Sequence, residues 1–354
     1  MAGTAAVIGS GISGLTAAHL LRRRYAVALF EAEPRAGGHA HTHDVQAPEG
    51  GTLPVDTGFM VFNRHNYPQL MRLFGELGVQ TQGSDMSMSL SCEGCSLAYL
   101  AGSALRTVPQ RPAMVPEEQW GRLVGKARQF ARIARSLVAD TEGPDIALGE
   151  LLDRSRCSAD FAEHMVLPLV SALWSCGPVT ARAYPARFLF RFLDQHGLLP
   201  GGAPVRWRTV KGGSRTYVRR VLERLPQVLL GLPVRAVRRT ADSVEVRADD
   251  DRVRRFDRAV VAVHADQALR LLADATTREK AVLGAIPYVV NETVLHTDPR
   301  LLPSDPALRA SWNVRSTCTG RPHDQVMMSN AQDLWIRLGR DVKGVPSRVI
   351  DQGH

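Results

Sequence analysis

Lysine is almost missing from this chain of 354 residues: it occurs only at Lys126, Lys211, Lys280 and Lys343, so nearly all of the 44 basic residues are arginine. Against 35 acidic residues they leave a formal charge of +9. These arginines are scattered rather than blocked. Their densest stretch, Arg206 to Arg220, is interrupted by Gly212 and Gly213 and has only Trp207 and Tyr217 as aromatics. That is too thin a stacking surface for single-stranded nucleic acid, and no nucleic-acid partner is expected. The charge reads instead as a solvated arginine-rich surface with local attraction for anionic substrates or for lipid head groups in peripheral membrane contact.

Long apolar runs are also absent. No stretch of about 18 apolar residues occurs, which excludes a membrane-spanning helix. The apolar N-terminal segment Ala5 to Leu21 lacks a basic leading region and is broken by Gly9, Gly11 and Gly14, so it reads as a folded element rather than a signal peptide. Cysteine is sparse and odd in number: Cys92, Cys95, Cys157, Cys176 and Cys318 do not make a disulfide framework, and a reducing, cytoplasmic setting is expected. Cys92 and Cys95 form a C-x-x-C, but no second pair and no nearby histidine pair completes a tetrahedral site, so they read as two reduced thiols in a turn and no metal is expected. The remaining composition, 44% hydrophobic and 22% charged, is that of an ordinary globule and excludes a largely disordered or collagen-like chain. The length allows two domains.

What is present begins in the first forty residues. A β-prone run, Thr4 to Ile8, meets Gly9-Ser10-Gly11-Ile12-Ser13-Gly14, then a helical stretch through Leu15, Ala18, His19, Leu20 and Leu21 ending in Arg22 to Arg24. A second strand, Val27 to Phe30, ends in Glu31. Strand, glycine turn, helix, strand and acid at this spacing form a dinucleotide-binding unit. Gly9 permits the turn, Gly11 lets the backbone approach a pyrophosphate and Gly14 lets helix and strand pack closely. The helix N-terminus offers N–H groups to phosphate, and the Glu31 carboxylate accepts from ribose hydroxyls and disfavours a 2′-phosphate.

Ala32-Glu33-Pro34-Arg35-Ala36-Gly37-Gly38-His39 follows, then His41, Thr42 and His43. This resembles the E-x-x-x-R-x-G-G-[RH] extension of flavoproteins in the amine oxidase and phytoene desaturase superfamily. Within it, Gly37-Gly38-His39-Ala40-His41-Thr42 and Pro54-Val55-Asp56-Thr57-Gly58-Phe59 are similar to the signatures of bacterial FAD-dependent oxidoreductases often encoded beside cyclopropane-fatty-acyl synthases. The resemblance implies FAD as cofactor, with Gly9 to Gly14, Glu31 and Ala32 at the nucleotide, Gly37, Gly38 and His39 beside the pyrophosphate and flavin, Gly58 and Phe59 near the ring, and a backbone group of Val234 at the adenine. Arg35 would pair with phosphate or brace the turn. His39, His41 and His43 alternate, so on a strand they would share a face as metal ligands do; a hydrogen-bonding role at the flavin is preferred.

Pro68 to Leu77, Glu117 to Asp140, Ala147 to Leu152 and Ala159 to Trp174 show helical periodicity. Phe161, Met165, Leu169 and Leu173 make an apolar stripe, kinked at Pro168, with Phe188, Phe190 and Phe192 after it; a packed core is the first reading, and a wall for a greasy substrate is what the resemblance implies. Lys211-Gly212-Gly213-Ser214 resembles the turn by which the superfamily returns to its flavin domain. Lys211 is the one weak catalytic candidate, and an exposed turn lysine is at least as good a reading. Gln227 to Leu230, Pro233 to Arg238, Ser243 to Arg247 and Arg254 to Phe256 fit a β-meander, and Asp257 to His264 a buried parallel strand with His264 at its carboxyl end. After Trp312 the resemblance ends: the superfamily's third, C-terminal cofactor element is not recognisable, as in a truncated or frame-shifted tail.

The resulting expectation is an α/β flavoprotein, with a Rossmann-like GxGxxG FAD-binding domain carrying a β-meander (1–65 and 205–275), an inserted mainly helical substrate domain (66–204 and 276–312) and an atypical tail (313–354). Its reaction would be hydride removal from a C–H bond of a small amine, acyl chain or polyene. The alternatives are a non-catalytic, FAD-deficient binding protein with the same fold and an NAD-dependent dehydrogenase. Oligomeric state is not legible.

Overall fold

Thr4 to Ile8 lies within β1 (Gly3–Ile8), where Ala5, Ala6 and Val7 are fully buried. The glycine turn leads into α1 (Ile12–Leu21), and β2 (Tyr25–Phe30) returns parallel to β1 with Ile8 opposite Phe30. Helix on one side and core on the other leave the inner halves of both strands no polar face, which is why they read as continuous apolar runs. Arg258–Val261 adds in parallel beyond β1, and Gln227–Leu229 in parallel beyond β2, giving a four-stranded parallel sheet.

Residues 3–47, 50–101, 117–140, 142–155, 157–199, 205–288, 290, 293–316, 318, 327–331 and 349–352 are described in this computed structural model. The chain divides into two compact units, one of residues 1–60, 69–81 and 210–290 and the other of 61–68, 82–209 and 291–354.

The first unit holds the parallel sheet. A three-stranded antiparallel sheet, Val234–Arg239, Val244–Ala248 and Val253–Phe256, shares its core: Val237, Val246, Ala248 and Phe256 pack with Ala6, Ile8, Ala28 and Phe30. Phe30 meets Phe256 edge to face at 6.0 Å, and burial of such a ring contributes about 2 kcal/mol. Two expectations change here. Gln227–Leu229 is not part of the meander but the outer strand of the parallel sheet, because its register follows β2. The strand after Asp257 is half-buried rather than buried, because it forms the edge of that sheet among the described residues. A hairpin of β3 (Thr42–Gln46) and β4 (Thr52–Asp56) carries the segment that follows the glycine extension.

The second unit packs the helices Glu117–Ala139, Leu148–Arg154, Leu167–Trp174, Pro178–Ala183 and Ala186–Gln195 on a sheet. In that sheet Met88–Cys92 pairs in parallel with Trp312–Ser316 and antiparallel with Ala98–Ala101, and the tail strands Met327–Ala331 and Val349–Gln352 extend it. The sequence signals the helices but not this sheet, whose strands of three to five residues are too short for a readable period. Phe161 and Phe190 are buried and meet Phe130 at 5.5 and 5.2 Å, so most of the aromatic stripe is core, while Phe188 is exposed. The irregularity expected at Pro168 falls one turn earlier, as a π-helical turn over Ala162–Val166. Among the described residues no helix is long and apolar enough to cross a membrane.

Candidate cofactor site

The turn after β1 is held by contacts that allow no side chain at two of its glycines. Gly9 has φ +95°, and a Cβ there would lie 2.5 Å from the Ala262 carbonyl oxygen; a Cβ on Gly14 would lie 1.9 Å from that of Gly9. Gly11 differs: its backbone is extended, and nothing lies within 4 Å of the place a Cβ would take. Gly9 and Gly14 serve the packing of helix on strand, and Gly11 keeps a surface open. Leu15 makes the first intrahelical bond of α1, to Gly11 O at 2.9 Å, so the N–H groups of Ile12, Ser13 and Gly14 precede the helical ladder and belong to a helix start with no acidic residue in its first turn.

A second pass of backbone covers this turn. Gly37 N donates to Ser10 Oγ at 3.0 Å, and Gly38, at φ +55°, is so close that a Cβ would stand 3.1 Å from Gly11 Cα. Arg35 donates to Gly38 O at 2.9 Å, so its guanidinium braces the turn. Ser10 ties the two passes to β2: its N–H donates to Glu31 Oε2 at 2.8 Å, and its hydroxyl donates to the same oxygen. Glu31 Oε1 accepts from Glu33 N at 3.0 Å. A carboxylate has room for about four donors, so this oxygen retains acceptor capacity.

The segment then runs beside Gly58. A Cβ on Gly58 would meet His39 O at 2.1 Å, Phe59 N donates to that oxygen at 2.8 Å, and Thr57 N donates to His41 O at 2.9 Å. The three alternating histidines do not share one strand face. His39 lies in the turn before β3, where its ring stacks 6.0 Å from His264, which stacks in turn 4.3 Å from Tyr288. His41 and His43 pair with each other at 4.0 Å. Burial, then the positive charge of Arg35 and the neighbouring His43, lower the pKa of His41 and favour its neutral ring.

Asp56, buried at the end of β4, joins these elements from below. Its carboxylate accepts from Ser214 N at 2.9 and 3.0 Å, from Ser214 Oγ at 2.8 Å and from Thr42 Oγ1 at 2.5 Å. Burial raises its pKa, against the lowering effect of these donors and of Arg215. Gly213 is fixed by the same packing, since at φ +82° a Cβ would stand 2.4 Å from Thr42 Cγ2.

The profile of the flavin-containing amine oxidoreductase family matches residues 12–316. The chain belongs to that family. No curated protein matches it closely. Among solved structures, a putrescine oxidase aligns over 99% of this chain and 75% of its own at 17% identity with a TM-score of 0.67. Cyclohexylamine oxidase from Brevibacterium oxydans aligns over 100% and 76% at 17% identity and 0.68, and a fatty acid isomerase from P. acnes over 99% and 76% at 15% and 0.62. At these identities the likeness is one of fold.

This family member is therefore an FAD-dependent oxidoreductase, which the family match favours over the NAD-dependent alternative. The residues present fit the cofactor: the helix start, the open face at Gly11 and the spare acceptor on Glu31 offer the donors and acceptor that a dinucleotide needs. Gly9 to Gly14, Glu31, Ala32, Arg35, Gly37 to His39, Gly58 and Phe59 belong to one contiguous arrangement with Ser10 at its centre. Val234 starts a strand of the antiparallel sheet, opposite Ala248. Lys211 is exposed on the turn before Gly212, held through its backbone N–H to Gln80 O at 3.0 Å. The sequence does not reveal the Asp56–Ser214 brace or Tyr288. Asp56 sits in a recognisable motif, but its partner is 158 residues away.

Proposed function

We propose that this flavoprotein oxidises a small amine or an apolar substrate by taking a hydride from one of its C–H bonds, and that Gly9, Ser10, Gly11, Ile12, Ser13, Gly14, Glu31, Ala32, Arg35, Gly37, Gly38, His39, Gly58, Phe59 and Val234 hold the FAD. The observation that carries the site assignment is the double backbone layer, Gly38 against Gly11, at a helix start where nothing lies within 4 Å of the place a Gly11 Cβ would take. FAD, when bound, accepts the hydride. The chain's own contribution is to bind and orient: the α1 N–H groups would hold phosphate, Glu31 would accept from ribose, and Arg35 keeps the Gly37-Gly38 turn in shape. No side-chain acid or base is required for a hydride transfer, which agrees with the lack of a catalytic constellation in the sequence.

An amine substrate is favoured by the family, and an acyl chain by the structural likeness to a fatty acid isomerase. Anaerobic mixing of the purified yellow protein with a panel of primary and secondary amines, unsaturated fatty acids and polyenes tests this. Bleaching of the flavin band by one class identifies it. A flavin that no member reduces, while dithionite does, would refute the proposed reaction.

A further inference from the structure

In the second unit, three thiols and an imidazole converge from distant parts of the sequence. Met88–Cys92 and Ala98–Ala101 are joined by the turn Glu93-Gly94-Cys95-Ser96-Leu97, closed by Cys92 N donating to Leu97 O at 2.8 Å. Ser96 takes the left-handed conformation, φ 59°, which brings Cys95 back over Cys92. Glu93 N donates to Ser316 O at 2.9 Å, so the end of the neighbouring strand, Trp312–Ser316, delivers Cys318 to the same turn. The approach is so close that a Cβ on Gly94 would lie 2.8 Å from Cys318 Sγ and 3.0 Å from its N.

His164 arrives from the π-helical turn. Pro168 has no N–H to give the carbonyl four residues earlier, that of His164, and a regular helix would lose that bond. Instead the turn widens over Ala162–Val166 and Tyr99 Oη donates to His164 O at 2.7 Å. π-turns of this kind frequently mark functional positions. The imidazole is buried, and its Nδ1 lies 2.8 Å from Asp160 O. A carbonyl only accepts, so Nδ1 carries the proton and Nε2 presents its lone pair, 3.2 Å from Cys95 Sγ. One ligand atom from each of Cys92, Cys95, His164 and Cys318 lies within 4.8 Å of the others.

We infer that Cys92, Cys95, His164 and Cys318 form a structural zinc site. Three thiolates and a neutral imidazole are the soft, mixed donor set that selects Zn2+. Bonds of about 2.3 Å to sulfur require tetrahedral edges of roughly 3.8 Å, within the observed spread. All four positions come from the protein, which leaves no open one for water or substrate, so the metal's role is to staple the hairpin, the π-turn and the segment after Ser316. The Asp160 carbonyl is the outer partner that orients the histidine. A disulfide between Cys92 and Cys95 would employ two of the four groups and leave the oriented imidazole and Cys318 without a role.

Protein expressed with zinc in the medium and purified under a mild reductant is expected to contain one zinc per chain by elemental mass spectrometry. Reconstitution with Co2+ after chelation should give the visible bands of a tetrahedral thiolate site. Cys95→Ser removes an exposed ligand without opening a core cavity, and His164→Ala removes a buried one. Each should lower zinc affinity by more than the roughly 10–100-fold typical of outer-shell changes, read by chelator competition. Zinc-free protein with all thiols titratable and no cobalt spectrum would overturn the inference. So would a Cys92–Cys95 disulfide found in freshly alkylated protein, or zinc affinity unchanged in Cys95→Ser.

Discussion

Replacing Gly11 by alanine separates the site from the fold that carries it. The space a Cβ would take at Gly11 is empty to 4 Å, and the residue's φ of −61° suits any amino acid. Folding stability of the FAD-free protein should fall only by the difference between glycine and alanine as helix N-caps, up to about 1 kcal/mol. The same methyl group would stand where a pyrophosphate approaches the helix start. Displacing the phosphate costs one or two charge-assisted hydrogen bonds, each about 1.5–3 kcal/mol. A loss of about 3 kcal/mol is roughly a hundredfold in Kd. Gly14→Ala is the contrast: its Cβ would sit 1.9 Å from the Gly9 carbonyl oxygen, so the backbone must move. Overpacking of this kind costs about 1–3 kcal/mol or more with or without FAD. Apoprotein of both variants, titrated with FAD by fluorescence quenching and compared by thermal unfolding without cofactor, gives the two quantities. A Kd for Gly11→Ala within threefold of wild type, with unfolding unchanged, would refute a pyrophosphate seat at Gly11.

Further tests address the supports around the site. Asp56→Ala strands buried donors from Ser214 and Thr42 and should destabilise by about 2–4 kcal/mol in urea unfolding, with Asp56→Asn milder because it keeps one acceptor oxygen. Phe30→Ala empties the packing against Phe256 and should lower stability by about 3–5 kcal/mol; a smaller effect would mean that the two sheets of the first unit collapse onto the gap. Glu279, held at about 2 by Arg239 and by the Thr276 cap, contributes stability that is complete above its unfolded value of 4.5 and is lost as pH falls toward 2. The urea midpoint gap between wild type and Glu279→Gln should therefore narrow from pH 6 to pH 3. Lys211→Met should leave FAD affinity within about threefold, since an exposed side chain away from such contacts usually changes free energies by no more than about 0.5 kcal/mol.

What the sequence by itself determined is local. Gly9, Gly11 and Gly14 between two apolar runs, with Glu31 after the second, identify a nucleotide-binding βαβ unit because turn, helix start and acid lie within one short stretch of chain. The Gly37-Gly38 extension narrows the cofactor through its resemblance to the flavoprotein motif. Helices with a strong apolar period, such as Pro68–Leu77, are legible down to their ends. Short strands such as Met88–Cys92 are not, since five residues are too few for a readable period and one of that strand's two partners lies more than two hundred residues away.

Only the tertiary structure decided which distant residues meet. It set Ser214 beneath Asp56, turned His39 toward His264 rather than toward His43, and made the outer parallel strand of Gln227–Leu229. It also gave Cys92 and Cys95 the partners that their spacing lacks. His164 and Cys318 stand 69 and 223 residues beyond Cys95, and no sequence interval connects them. They meet because a proline-forced π-turn and a parallel strand pairing each place one side chain at the same hairpin. Such coincidences belong to packing, which acts between surfaces, whereas spacing along the chain encodes only what a single turn of backbone can bring together.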